Sequence, residues 1–451
     1  MAGNEGFGGF LPSTNPLARR EVRGYCDLVR GSGQRGEVRP ARWAVSAHFL
    51  VMGLTGGVWM ARIPAAKAQA HLSDGILGIA LFAVPAGLVL GSALAERLVD
   101  RVGSAPLVRI FGIGGCAAAV TPGLAHALPG LMVALFAIGV SGGLLDVSQN
   151  AQGVQIEALY ERPVMSSMHA CYSLGAILGS LAGGAFAWAG VALLPSLAAA
   201  GVTGALIMGT AGRWLLPGTG RTGRHGPAGP VPGEPPPVPG GASATETPSV
   251  TRGQVRRLVL AIGVLGICAL VGEGAAGDWS AVYLRDNLGT SAGFAALGFA
   301  AFSATMTLGR AAGDRLIHRF GVVPVIRACG VTATAGLALA LATPVPAVTV
   351  AGFTAFGAGL SIVVPQVFAA GGRADAERPG SGLAKVVGLG YAGLAAGPAV
   401  IGAVASRTGL HLALCIPLAL AAWIAVAAPV LRTRQSGTDD RSLVEANQRS
   451  D

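Results

Sequence analysis

Apolar stretches recur along this chain at a regular interval, separated by short polar breaks. Ala44–Ala61 is followed by segments at about 76–95, 105–126, 129–150, 165–189 and 191–216. After a longer polar interval come six more, at about 255–276, 291–312, 321–342, 345–371, 383–406 and 409–431. A helix needs roughly 20 apolar residues to cross a hydrocarbon core, and several of these segments reach or exceed that length. The pattern predicts an all-α membrane protein with twelve transmembrane helices arranged as two six-helix bundles. The bundles would occupy 43–216 and 254–431. Between them 217–253, with its GPAGPVPGEPPPVPGG run, has no apolar period and reads as a flexible, partly extended linker. Residues 1–42 and 432–451 are polar tails; the first carries seven Arg and no apolar core of a cleavable signal peptide.

A repeat supports the division into halves. Gly91–Arg109, GSALAERLVDRVGSAPLVR, returns about 218 residues later as Gly309–Arg327, GRAAGDRLIHRFGVVPVIR, with eight of nineteen positions identical. Each copy joins two apolar segments, so one helical bundle occurs twice. Composition agrees: 12% charged residues is about half the share of an ordinary soluble domain. The net charge of +10 does not point to nucleic acid, because its distribution follows topology. With both termini on one side, twenty-eight of the 32 Lys and Arg fall on that side, leaving Arg62, Lys67, Arg285 and Arg407 on the other. Under the positive-inside rule both ends are then cytoplasmic, in a bacterial inner membrane, with the basic residues facing anionic headgroups. The six Cys show no ligand or disulfide spacing and read as packing residues.

Candidate chemistry lies in polar side chains at bilayer depth, which cost about 2.5–3.5 kcal/mol each and so normally line a cavity. Asp146, Gln149 and Asn150 share one face of the fourth helix, and His169, Tyr172 and Ser173 share one on the fifth. Counting from the turn near Tyr160–Glu161 brings Asn150 level with His169, and sets Asp146 roughly level with Ser173, about 20 Å deep. Glu161-Arg162-Pro163 recurs as Glu377-Arg378-Pro379, and that offset of 216 pairs His169 with Lys385 and Asn150 with Gln366. Asp146, whose counterpart is Ile362, is the proton-coupling candidate. Gln149, Asn150, His169, Tyr172, Ser173, Glu273, Gln366 and Lys385 are cavity candidates. Hydrogen bonds between helices are the competing reading for each, and snorkelling to the interface for Lys385. Glu273 is expected in the outer third, and Trp59 and Trp279 in an aromatic belt.

The doubled loops resemble the cytoplasmic signature of the major facilitator superfamily, in which Gly, Asp-Arg, Gly and basic residues follow the second helix. Asp100, Arg101 and Gly103 match. Glu96 stands where the leading Gly would be, Ser104 and Ala105 replace the basic pair, and His318 takes the Asp position in the second copy. The resemblance runs from Arg42 to Arg432 and implies the major facilitator fold. It also implies a cytoplasmic gate, for which Glu96, Arg97, Asp100, Arg101, Gly103, Arg310, Asp314, Arg315, Arg319 and Gly321 are candidates. His169–Gly175, HACYSLG, is similar to the Gln-Ala-x-Asn-Ser-Leu-Gly of the fucose permease-like branch. VWMARIPAAKAQAHLSDGILG and EGAAGDWSAVYLRDNLGTSA resemble an uncharacterised bacterial subgroup beside it. That branch implies proton symport with a fourth-helix carboxylate as carrier.

No P-loop, HExxH, GxSxG or Cys/His metal pattern occurs, so the chain reads as no enzyme and needs no cofactor beyond a proton gradient. The expected function is secondary transport by alternating access: proton-coupled symport of a small polar, sugar-like solute. The alternatives are proton-antiport efflux of an amphipathic or toxic compound, and a non-transporting sensor or scaffold. The expected partners are a small-molecule solute, protons and the lipid bilayer; no nucleic acid is expected, and the protein should be a monomer.

Overall fold

The computed structural model describes residues 35–160, 164–217, 252–374 and 379–432. The linker, both tails and most of the Glu-Arg-Pro repeat lie outside the described residues. Twelve helices long and apolar enough to cross a membrane are present among those described. We label them α1 Val38–Gln69, α2 Asp74–Val99, α3 Ser104–Leu124, α4 Leu128–Glu157, α5 Ser167–Trp188 and α6 Leu193–Trp214. The second half holds α7 Gly253–Asn287, α8 Ala292–Gly313, α9 Val322–Ala342, α10 Pro346–Ala374, α11 Lys385–Thr408 and α12 Leu410–Leu431.

Three of these outlast the apolar runs that announce them. α1 continues eight residues past Ala61 because its two charges find partners: buried Arg62 donates to the Val191 carbonyl at 2.6 Å, and Lys67 meets two carboxylates. α4 and α7 likewise run on into polar sequence, to Glu157 and Asn287. Glu157 accepts hydrogen bonds from the free N–H groups of Val164 and Met165, at 2.8 and 3.0 Å, where the next helix starts.

The halves repeat one packing scheme. α1 lies on α5, α2 on α4 and α3 on α6; in the same order α7 lies on α11, α8 on α10 and α9 on α12. The doubled loops repeat too: Gly103 and Gly321 turn the chain at φ 82° and φ 80°, a region closed to residues with a Cβ. Those two glycines therefore have a backbone reason to be there, whatever else the loops do.

Between the halves contact is confined to one end. α2 meets α11 where Gly78 lies against the Pro398 carbonyl and Gly402, and α5 meets α8 where Gly184 lies against Gly293 and Ala296. Gly75 and Gly293 are 218 residues apart, and so are Gly184 and Gly402, so the two contacts are one contact applied twice. The apolar core is continuous across this end, from Ile63, Leu77 and Leu197 into Trp279 and Phe299, whereas Phe49, Ile156 and Met168 at the other end of the first half form a separate core. Trp279 is 0% and Trp59 7% exposed. The expected aromatic belt is thus wrong for both: they are core residues at the junction of the halves.

Helix α5, which carries His169 and Tyr172, is set by its contact with α1. A Cβ on Gly175 would stand 2.0 Å from the Leu50 carbonyl oxygen, so only glycine permits this approach. Gly175→Ala should cost about 1–3 kcal/mol through overpacking and lower the melting temperature of the purified protein. Gly56→Ala, where a Cβ meets nothing within 4 Å, should leave it unchanged; equal effects of the two would refute the packing argument.

Candidate functional site

On the first half, Asn150 Nδ2 donates to Asp146 Oδ1 at 3.0 Å and to the Asp146 carbonyl at 2.8 Å, one turn apart on α4. His169, on α5, packs its ring at 4.8 Å from Phe49 of α1 and lies within electrostatic reach of Asp146. Gln149 departs from expectation. It is fully buried, with Nε2 against Met52 Sδ at 3.2 Å, and its carbonyl oxygen has no partner. It braces α4 against α1 rather than lining a cavity, because its spacing turns it to the helix flank that faces α1.

On the second half, Arg310 of α8 donates from Nη2 to Glu273 Oε1 of α7 at 2.9 Å, and its Nε points to the Ser361 carbonyl of α10 at 3.4 Å. This corrects the placement of Arg310 among the gate residues. It stands eleven residues before Gly321, about 16 Å into the bilayer, and a guanidinium at that depth requires a carboxylate. The pair also brings Glu273 inward from the outer third, to the level of Asp146 and His169.

Tyr172 of α5 and Tyr391 of α11 join the two walls. Each is 37% exposed although each lies near charges in the protein interior. Tyr172 is within electrostatic reach of Asp146, Glu273 and Arg310, and Tyr391 of Asp146 and Glu273. The surface they expose therefore faces a space between the halves, not lipid. Asp146, His169, Tyr172, Glu273, Arg310 and Tyr391 converge there from α4, α5, α7, α8 and α11.

Other candidates stay apart. Lys385 is exposed at the start of α11, Gln366 is half-buried on α10 and Ser173 half-buried on α5; none has a side-chain bond to this cluster among the described residues. The equivalence of Lys385 to His169 therefore does not carry it to the centre. Its position only about 9 Å beyond the start of its helix at Pro379 keeps it with the headgroups. Of the loop residues, Arg97, Arg101, Arg315 and Arg319 are all exposed, with Arg319 over the Phe320 ring at 5.2 Å. The side chains of Glu96, Asp100 and Asp314 lie outside the described residues, so no gate pairing is drawn from them.

Two features escape sequence reasoning. Tyr391 lies 219 residues after Tyr172, an offset close to that of the doubled loops, which was the available signal. The other is a charge cluster where the halves touch. Lys67 Nζ, at the end of α1, donates to Asp286 Oδ2 at 2.5 Å, at the end of α7, and Asp74 Oδ1 at the start of α2 is also 2.5 Å away. Lys67 and Asp286 are themselves 219 residues apart, so the bond joins equivalent positions across the pseudo-twofold axis.

Twelve spanning helices in two repeated bundles, with charged and phenolic side chains facing a space between them, define a multi-pass membrane transporter. The description "Major Facilitator Superfamily" matches residues 44–374. The "Uncharacterized transporter y4wD" of Sinorhizobium fredii is 33% identical over 86% of this chain and 97% of its own length. The chain belongs to the major facilitator superfamily; it is a transporter and not an enzyme. Its fold is similar to that of a mutant form of the nucleoside transporter NupG, with TM-score 0.68 and 10% identity over 87% of this chain and 100% of that one. It is equally similar to a D-xylose-proton symporter, with TM-score 0.68 and 13% identity over 89% and 99%.

The Lys67 cluster makes a prediction with two signs. Asp286→Asn removes the partner on the opposite half and should favour parting at this end, by about two- to fivefold for a pair of this exposure. Asp74→Asn removes the competing partner within the first half and should favour closure. Spin labels at exposed His71→Cys and Arg407→Cys, in a chain without its native cysteines, would report both as the fraction of long distances. Shifts of the same sign, or none, would refute the arrangement.

Proposed function

We propose that this protein is a secondary carrier that couples a proton to the uptake of a small polar solute by alternating access. In this reading the end bearing the doubled basic loops is cytoplasmic, under the positive-inside rule, and the bundles are closed outside and parted inside. The observation that carries the coupling is a difference between the two carboxylates. Glu273 has a fixed cation in Arg310 at 2.9 Å, whereas Asp146 has an amide donor, Asn150, and no ion pair among the described residues. A carboxylate at bilayer depth without a fixed cation is stabilised by a proton, which it can take from one side and release to the other. His169, within reach of Asp146, is placed to relay that proton.

The solute would sit between the walls. Tyr172 and Tyr391 offer hydroxyls from opposite halves, and Arg310 offers the guanidinium N–H groups that Glu273 and Ser361 leave free. Hydrogen-bonding groups dominate this lining, which favours a hydrophilic solute over amphipathic cargo. The fold shared with a D-xylose-proton symporter and a nucleoside transporter agrees with a solute of that size and polarity. Closing the inner mouth would bring the exposed arginines of the two loops toward the opposite bundle, where acids of the loop stretches could pair with them. Such pairs bias a two-state equilibrium by their differential energy alone.

Proteoliposomes distinguish binding from coupling. A counterflow screen across solute classes identifies the solute. Asp146→Asn should then retain counterflow but lose accumulation driven by an imposed pH gradient, and equal accumulation by mutant and parent would refute the assignment. Arg310→Gln should impair both, because it removes a wall of the site and leaves Glu273 unpaired; full counterflow in that variant would exclude Arg310 from solute binding.

A further inference from the structure

A groove that the transport reading does not use lies at the basic-loop end of the second half. It encloses about 570 Å³ and is lined by Val323, Pro324, Arg327, Ala328 and Val331 of α9, and by Arg432 just beyond α12. Its walls are largely apolar, and Val331 is 56% exposed along it. Arg327 is five residues into α9, about 8 Å from its start, and Arg432 directly follows the end of α12. Both guanidinium groups are thus rooted at headgroup depth, at the mouth of an apolar channel that runs toward the bilayer interior.

The first half shows what the same arginines do when the protein uses them itself. Arg109 is 218 residues before Arg327, and Arg213 is 219 before Arg432. Arg109 Nε donates to the Gly212 carbonyl at 2.7 Å, closing the end of α6. Arg213 Nε donates to the Thr210 carbonyl at 2.8 Å, with its guanidinium 4.7 Å from the centre of the Trp214 ring. In the second half, neither Arg327 nor Arg432 has a side-chain hydrogen bond, ion pair or ring contact among the described residues, and the groove lies where the first half is sealed. Helix α12 closes on itself instead, with the Arg432 N–H on the Pro429 carbonyl at 3.1 Å.

We propose that this groove binds one anionic phospholipid, its phosphate between Arg327 and Arg432 and an acyl chain along Val331. Two cations without protein partners at headgroup depth attract an anion, and the apolar floor selects an anion that carries a hydrocarbon chain. A zwitterionic headgroup is a poorer fit, because its own cation meets two guanidinium groups. The inference requires only that the chain spans a bilayer, and holds whichever solute is carried.

The test is native mass spectrometry of the full chain in detergent, titrated with phosphatidylglycerol or phosphatidylcholine of matched acyl chains. Wild type should retain one phosphatidylglycerol in preference to phosphatidylcholine. At about fivefold per basic residue near a membrane surface, Arg327→Ala/Arg432→Ala should weaken phosphatidylglycerol binding by on the order of 25-fold. Arg256→Ala/Arg257→Ala, an equal loss of charge elsewhere, should leave it unchanged. Val331→Trp, which fills the groove without altering charge, should also weaken it and guards against misfolding of the double variant. Equal retention of both lipids by wild type, equal loss in the control variant, or displacement of phosphatidylglycerol by excess inorganic phosphate would each overturn the proposal.

Discussion

The ion pair between Arg310 and Glu273 shows the constraint on which the interior of this protein depends. Inside a bilayer no bulk water shares the cost of a charge, so each ionisable group must find a partner or a proton. Three solutions occur in this chain. Arg310 is held by a carboxylate from the neighbouring helix of its own half. Lys67 is held by one carboxylate from its own half and one from the other. Asp146 is held by an amide alone. The first solution is suited to a standing wall and the second to a contact that can part without stranding a charge. The third suits a group whose proton comes and goes.

Packing confines those charges to the places where they can act. With lipid outside, helices gain no hydrophobic drive toward each other, and close approach of small residues takes its place. Gly175 against Leu50 fixes α5 on α1, and with it the direction of His169 and Tyr172. Gly78 against Pro398 and Gly184 against Gly293 hold the halves at one end, on either side of the Lys67–Asp286 bond. Backbone meets backbone there, so a small rotation of one bundle breaks many short contacts at once. That end behaves as shut or parted, with little stable between.

Much of this was legible in the sequence, for physical reasons that also mark where legibility stops. Twelve apolar segments and the doubled Gly91–Arg109 stretch give the bundles, because length and period are local properties. Asp146, His169 and Tyr172 could be placed together because they lie on a hairpin, where counting from one turn fixes relative depth. Arg310 could not be placed, since its partner Glu273 is on another helix 37 residues away and its own neighbourhood reads as part of a basic loop. Lys67 was hidden in the same way: it looked like loop because the residues that make it tolerable in a helix, Asp74 and Asp286, are distant or on the far half. Trp59 and Trp279 were misjudged because burial at the junction of two bundles leaves no trace in either segment alone.

A duplicated chain offers its own control, since each position in one half can be compared with its counterpart in the other. Where the halves agree, as in the glycine turns at Gly103 and Gly321 or the paired glycine contacts, the shared feature belongs to the bundle. Where they differ, the fold no longer explains the residue. Asp146 faces a half whose corresponding position is Ile362; Arg310 stands where the first copy has Ser92. Arg327 and Arg432 are free where Arg109 and Arg213 are bound. Two identical bundles would form a symmetric pore lining with no preferred place for a proton, a solute or a lipid. The departures from symmetry are few, polar and mostly at bilayer or headgroup depth, and the case for function at each rests on that difference.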